Sequence, residues 1–133
     1  MMTFIKKHSL LLILLVSVLL RLGAAIYLGD TVEVLPGTSD QVSYHNLALR
    51  VLGGHGFSFG EDWWPATRAN EPTAHWRFLY TFYLIAVYGL FGPHPLVGRL
   101  IQAVMVGLLQ PWLTYLLGKC LFNYRVGLWA AFL

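Results

Sequence analysis

The sequence predicts an all-α integral membrane protein with three to four hydrophobic helices and one polar, extracytoplasmic loop. Two observations predict this fold class. Of the 133 residues, 57% are hydrophobic and 11% are charged, whereas a soluble domain carries about a quarter charged residues. All the carboxylates lie in one stretch between two apolar segments, at Asp30, Glu33, Asp40, Glu61, Asp62 and Glu71. Water is therefore not the main solvent of this chain.

The first apolar segment covers residues 9–28, which is about the length that a helix needs to cross a hydrocarbon core of roughly 30 Å. Lys6 and Lys7 precede it and place the N-terminus in the cytoplasm by the positive-inside rule. A cleavable signal peptide is the alternative, because residues 10–20 have the length of an h-region. Arg21 interrupts the segment. Either it reaches the outer headgroups, or it faces other helices as a functional residue.

The second apolar segment, residues 76–91, is short for a membrane span. A re-entrant segment is therefore the alternative. We favour a span because tyrosines suit both membrane interfaces, and the segment carries them at Tyr80, Tyr83 and Tyr88.

Residues 96–117 form a third apolar segment, and a fourth begins at residue 126 and continues to 133. The fourth segment stops without a cap or a charged flank. We therefore expect the reading frame to continue past Leu133, which makes the chain the N-terminal part of a larger membrane domain. Sequencing the downstream DNA tests this expectation.

Residues 29–77 form the polar loop and carry six acidic and three basic side chains. Thr38 is followed three residues later by Gln41, which is a capping-box pattern. Apolar residues then repeat at helical spacing up to Gly53 and Gly54, where a helix would end. This pattern predicts a short amphipathic helix. We expect its apolar face to lie along the membrane surface or against the transmembrane helices.

The stretch 56–72 mixes aromatic side chains with prolines and charges. Such a composition suits an interfacial loop in which the aromatic side chains act as membrane anchors. Thr67 lies inside this stretch, and we expect it to be an exposed loop position.

Five short segments follow one another along the chain: 39–48 (SDQVSYHNLA), 54–58 (GHGFS), 72–81 (PTAHWRFLYT), 91–102 (FGPHPLVGRLIQ) and 121–128 (LFNYRVGL). In this order they resemble the opening of the GT-C glycosyltransferases. The family 39 group, with its dolichyl-phosphate-mannose and ArnT-like enzymes, is the most similar branch. The resemblance implies a GT-C-type multi-helix bundle, of which residues 1–133 form the N-terminal part.

The resemblance further implies an enzyme of the cell envelope that takes a sugar from a polyprenyl-phosphate donor. The sugar would pass to a lipid, glycan or protein acceptor at the extracytoplasmic membrane face. Asp40 and Tyr44 match an acidic residue and a tyrosine of the family's active site. The run from Arg77 to Thr81 departs from the family pattern, since it keeps Leu79 and Tyr80 but lacks the flanking prolines. A further carboxylate of the family's site would lie beyond Leu133.

The chemistry of such a transfer explains why these residue types are wanted. A carboxylate deprotonates the acceptor, and cations hold the charge of the phosphate leaving group. We therefore predict Asp40 as the catalytic residue and Tyr44, Arg77 and Tyr80 as substrate-binding residues. Arg68 and Arg50 are weaker candidates for the phosphate, and the alternatives for the site are Glu61, Asp62 and His75. The simpler interpretation of Asp40 is a helix-terminal charge, which the helix dipole stabilises by about 0.3 to 1 kcal/mol.

Three histidines share the loop, at His45, His55 and His75. Their spacing fits no recognised ligand pattern, so we predict no metal site of the Cys/His type. A divalent ion bridging a carboxylate and the donor phosphate remains an alternative. Nucleic acid is excluded as a partner, because the cations flank apolar runs instead of forming a basic patch. Membrane lipids are the expected surroundings. The alternative function is a non-catalytic membrane protein or subunit that binds polyprenyl lipids.

Overall fold

A computed structural model of the chain describes residues 2–34, 36–65 and 67–133, with side chains from His8 onward. This part of the chain contains no strand and five α-helices: α1 Met2–Leu28, α2 Asp40–Leu52, α3 Phe78–Phe91, α4 Pro95–Leu121 and α5 Tyr124–Phe132. The predicted all-α architecture is therefore confirmed. The side chains of Lys6 and Lys7, on which the predicted orientation depends, lie outside the described residues.

Two helices are long and apolar enough to cross a membrane, namely His8–Leu28 within α1 and the whole of α4. They correspond to the first and third predicted segments. The third runs four residues further than expected, to Leu121, and contains Pro111 in its interior. Many of the leucines of α1 are exposed, with Leu20 at 70%. The architecture is thus compatible with a bundle of membrane helices.

Helix α3 is shorter than the segment predicted at 76–91. It contains 14 residues, which span about 21 Å at a rise of 1.5 Å per residue. A hydrocarbon core is roughly 30 Å thick, so this length favours the re-entrant alternative over a full span. The helix begins at Phe78 because Arg77 has an extended backbone, with ψ at 118°. A full crossing by this segment stays a prediction.

The chain divides into two compact units. The helical unit combines Met1–Gly29 with Arg99–Leu133, and the loop unit is the continuous stretch Asp30–Gly98. The loop unit contains α2 and α3, which pack against each other.

Helix α2 confirms the predicted amphipathic helix but not its predicted cap. The N-cap residue is Ser39, and its side chain makes no capping hydrogen bond. Gln41 does not complete a capping box with Thr38, since its amide donates to the carbonyl of Glu33 at 2.8 Å. The C-terminus ends at the predicted glycines, with Gly54 at a φ of +80°, a conformation that glycine adopts without strain.

The loop unit has a hydrophobic core of its own. Leu47 of α2, Phe59 and Trp76 are buried at its centre, and the half-buried side chains packed on them are Tyr44, Phe57 and Trp63. The expectation that the loop aromatics anchor to the membrane is therefore wrong for Phe59, which is 2% exposed, and stays a prediction for the half-buried Phe57 and Trp63. Trp64 is 84% exposed. Helix α2 thus packs on α3, which was one of the two predicted alternatives, and also on loop residues, which the sequence pattern does not predict.

Glycines allow close backbone contacts in the helical unit. A Cβ added to Gly107 of α4 would lie 2.9 Å from a methyl carbon of Val18 in α1. A Cβ added to Gly127 of α5 would lie 2.6 Å from the carbonyl oxygen of Tyr115 and 2.9 Å from the backbone nitrogen of Lys119. Small residues at helix contacts are typical of membrane bundles, where close packing replaces the hydrophobic effect.

Replacing Gly127 by Leu is expected to destabilise the helical unit by about 1 to 3 kcal/mol, because overpacking forces neighbouring backbone apart. The measurement is the unfolding midpoint in a titration from mild detergent to dodecyl sulfate. Gly23→Leu is the matched control, because a Cβ built on Gly23 of α1 has no described atom within 4 Å apart from its own helix backbone and chain neighbours. Equal midpoints for the two variants would contradict the close contact at Gly127.

Candidate functional site

Three aromatic side chains from α2, the loop and α3 meet in the loop unit. The ring of Tyr44 lies edge-on to Trp76 at 5.6 Å and edge-on to Tyr80 at 5.1 Å between ring centroids. Edge-to-face aromatic pairs at such distances contribute about 0.5 to 1.5 kcal/mol each beyond their buried area. We call Tyr44, Trp76 and Tyr80 the aromatic cluster. It contains both predicted substrate-binding tyrosines.

Asp40 lies at the start of α2, one helical turn before Tyr44. Residues four apart on a helix share a face, so the carboxylate and the phenol project to the same side of α2. The Asp40 side chain is exposed. In the described part of the chain it accepts no hydrogen bond, so the carboxylate is available to a ligand.

Arg77 is the N-cap residue of α3 and follows directly after Trp76 of the aromatic cluster. Its carbonyl oxygen accepts a hydrogen bond from the hydroxyl of Thr81 at 3.1 Å, which holds the backbone. The guanidinium is exposed and, among the side chains described from His8 onward, has no partner. His75 precedes Trp76 and touches it edge-on, at 5.2 Å between ring centroids.

The cluster includes a buried donor that lacks an acceptor. Trp76 is 7% exposed, and its indole N–H has no hydrogen-bond partner among the described residues. A buried polar group left in this state costs about 1 to 3 kcal/mol. A bound water or a ligand oxygen reaching this nitrogen would remove that cost.

Arg50 and Asp62, two of the other candidates, make hydrogen bonds to residues outside the aromatic cluster. The guanidinium of Arg50 donates to Ser58 and, at 2.7 Å, to the side chain of Asn70. Asp62 accepts the backbone N–H of Ala69 at 2.8 Å, which closes the loop. Glu61 is exposed and lies in a groove near the C-terminal end of α2. Arg50 and Asp62 therefore have structural roles, whereas Glu61 remains unengaged.

Thr67 is 7% exposed, so the expectation of an exposed position was wrong. Its hydroxyl lies 3.2 Å from that of Thr73, and its backbone pairs with Trp63 in both directions. These contacts hold a narrow turn that buries the threonine. Ala69 is an exposed neighbour that serves as a surface position instead.

The polar contacts of His45 and Asp30 were not predicted from the sequence. His45 lies 2.9 Å from the hydroxyl of Tyr88, and Tyr88 is 4% exposed, so this tyrosine does not act as an interfacial anchor. Asp30 accepts a hydrogen bond from His94 at 2.7 Å and another from the backbone of Leu96 at 2.8 Å. His45 and Tyr88 are 43 residues apart in the sequence, and Asp30 and His94 are 64 residues apart. The only signal in the sequence was the placement of these polar residues beside apolar segments.

The guanidinium of Arg21 has hydrogen-bond partners within the helical unit. It donates to Ser17 at 2.8 Å, one turn towards the N-terminus, and to Gln110 of α4 at 3.0 Å. The side chain therefore faces another helix instead of reaching the outer headgroups.

The described residues from His8 onward bring together no group of three or more His, Cys, Asp or Glu side chains that could hold a metal ion. Comparison with known proteins gave no match to a family model, a curated protein or a solved structure. A functional argument therefore rests on the local geometry of the chain.

Proposed function

We propose that the chain is the N-terminal part of a glycosyltransferase that moves a sugar from a polyprenyl-phosphate donor to an acceptor at the extracytoplasmic membrane face. The sequence resemblance to the GT-C family 39 group motivates the proposal. One observation supports it most. Helices α2 and α3 bring Tyr44 against Tyr80, although the two residues belong to separate segments of that resemblance.

The charges around the aromatic cluster have the signs that the reaction needs. Asp40 provides an unengaged carboxylate one turn before Tyr44, and Arg77 provides an unengaged guanidinium next to Trp76. A guanidinium binds phosphate oxygens through two parallel hydrogen bonds. No hydrogen bond or ion pair joins Asp40 to Arg77 among the described side chains. Neither charge therefore neutralises the other before substrate arrives.

In the proposed reaction, an acceptor hydroxyl attacks the anomeric carbon of the donor sugar, and the bond from that carbon to the phosphate oxygen breaks. The phosphate leaves with the bonding electron pair, and Arg77 holds the resulting charge. Asp40 takes the proton of the attacking hydroxyl as general base. Tyr44 and Tyr80 would line the sugar-binding surface, as rings with one apolar body and one polar end.

The test uses the full-length protein, purified in detergent and supplied with a radiolabelled polyprenyl-phosphate sugar and an extract of envelope acceptors. Movement of label from the lipid to the acceptor fraction is expected. Tight binding of the lipid without any transfer would instead support the alternative of a non-catalytic subunit.

The proposed orientation predicts that the loop unit faces the outside of the cell. In a Cys120→Ala background, the exposed Ala69→Cys position should react with a membrane-impermeant thiol reagent in intact cells. Thr67→Cys is the matched control. Because Thr67 is buried, the same reagent should label it only after denaturation. Labelling of Ala69→Cys only after lysis would show that the loop faces the cytoplasm.

A further inference from the structure

A groove with a volume of about 510 Å³ lies in the loop unit, near the C-terminal end of α2. It borders the aromatic cluster, because Phe59 lines the groove and lies edge-on to Trp76 at 5.9 Å between ring centroids. Arg50 follows Asp40 by ten residues along α2, which corresponds to about 15 Å at a rise of 1.5 Å per residue. The groove has its aromatic floor in the half-buried Trp63, which stacks in parallel on the buried Phe59 at 5.4 Å between ring centroids. Its walls carry polar side chains from Asn46, Arg50, His55 and Glu61.

The Arg50 guanidinium is held in place at the edge of this groove. Its Nε and Nη2 atoms donate to Ser58 and Asn70, which fixes the plane of the group. The remaining nitrogen, Nη1, lies over Gly60, where an added Cβ would be only 3.2 Å away. Because Gly60 has no side chain, there is space beside Nη1. The N–H groups of Nη1 make no hydrogen bond in the described part of the chain.

The other polar walls are unengaged as well. Among the described residues, the side chains of Asn46, His55 and Glu61 make no hydrogen bond. The amide and the imidazole can each donate or accept, and the carboxylate accepts. The groove thus combines fixed donors, an anionic acceptor and an aromatic floor.

We propose that this groove binds a sugar ring. The hydroxyls at the edge of a sugar both donate and accept, so adjacent hydroxyls match the guanidinium and amide donors together with the Glu61 carboxylate. The C–H groups on the faces of the ring match the aromatic floor. A free phosphate would meet the Glu61 charge, and an apolar ligand would leave the polar walls unpaired, which is costly. The site does not require the transfer reaction and goes beyond the proposed function.

The test is saturation-transfer NMR on the full chain in deuterated detergent micelles, with the methyl pyranosides of glucose, galactose, mannose and N-acetylglucosamine as probes. Saturation of at least one glycoside is expected. Glu61→Ala should weaken binding by about tenfold or more, since a hydrogen bond to a charged group is lost. Asn46→Ala should weaken it as well. Glu71→Ala removes an exposed carboxylate from the same loop and should leave binding unchanged.

Three results would overturn the assignment: saturation of none of the glycosides, equal saturation of wild type and a folded Glu61→Ala/Asn46→Ala double variant, or binding of inorganic phosphate in place of the glycosides. Circular dichroism and gel filtration confirm that each variant is folded. Asp40→Asn separates this inference from the proposed function, because it should lower transfer by about 10² to 10⁴ while glycoside saturation persists.

Discussion

Replacing Asp40 by Asn in the full-length protein is expected to lower the rate of sugar transfer by about 10² to 10⁴, the usual contribution of a general base. Asn keeps the size of the side chain but cannot take the proton of the acceptor hydroxyl. Because Asp40 is exposed and accepts no hydrogen bond among the described residues, folding and membrane insertion should not change. The measurement is transfer of label from the lipid donor at saturating donor and acceptor.

Glu33→Gln is the matched control for Asp40→Asn. Glu33 is also an exposed carboxylate of the loop unit, but it precedes α2 and so is not on the helix face that carries Asp40 and Tyr44. Its replacement should leave the rate within a fewfold of wild type. If Asp40→Asn also stayed within a fewfold, Asp40 would be a helix-terminal charge and the catalytic assignment would be lost.

Replacing Leu47 by Ala is expected to destabilise the loop unit by about 2 to 5 kcal/mol. Leu47 is fully buried beneath Phe59 and Trp76. Its truncation removes apolar burial and leaves a cavity that rigid aromatic neighbours fill poorly. Because Trp63 and Trp76 contact this core, tryptophan fluorescence during thermal unfolding in detergent reports the change directly.

Leu49→Ala provides the comparison for Leu47→Ala on the same helix. Leu49 is 37% exposed, so its truncation should cost well under half as much. Similar melting temperatures for the two variants would mean that α2 does not bury Leu47 in solution.

The helices that follow a regular pattern could be predicted from the sequence. The apolar run after Ser9 predicted α1, and the helical spacing that ends at Gly53 and Gly54 predicted α2. These elements are encoded locally, because helical periodicity and terminal glycines act within a few residues. The end of α3 was also predicted correctly at Phe91.

Burial within the loop could not be predicted in the same way. A tryptophan beside an apolar segment fits a membrane interface as well as a small core, and only the fold decides that Trp76 is buried while Trp64 is exposed. The same limit applies to Arg50, whose guanidinium meets a side chain 20 residues away. The spacing of Asp40 and Tyr44 was enough to predict that they share a helix face. The contact of Tyr44 with Tyr80 could not be predicted, because it depends on how α2 packs on α3.

The division of the chain into a continuous and a discontinuous unit sets an order of events during biosynthesis. Ribosomes add about 5 to 20 residues per second, so the stretch from Asp30 to Gly98 is complete within seconds of leaving α1. From then on, all residues that contact one another within this stretch have been synthesised, so Phe59 and Trp76 can pack on Leu47. Arg21 must wait until Gln110 is synthesised before its guanidinium gains that acceptor. The nascent protein thus closes the core of its loop unit while Arg21 in its first helix still lacks Gln110 as a partner.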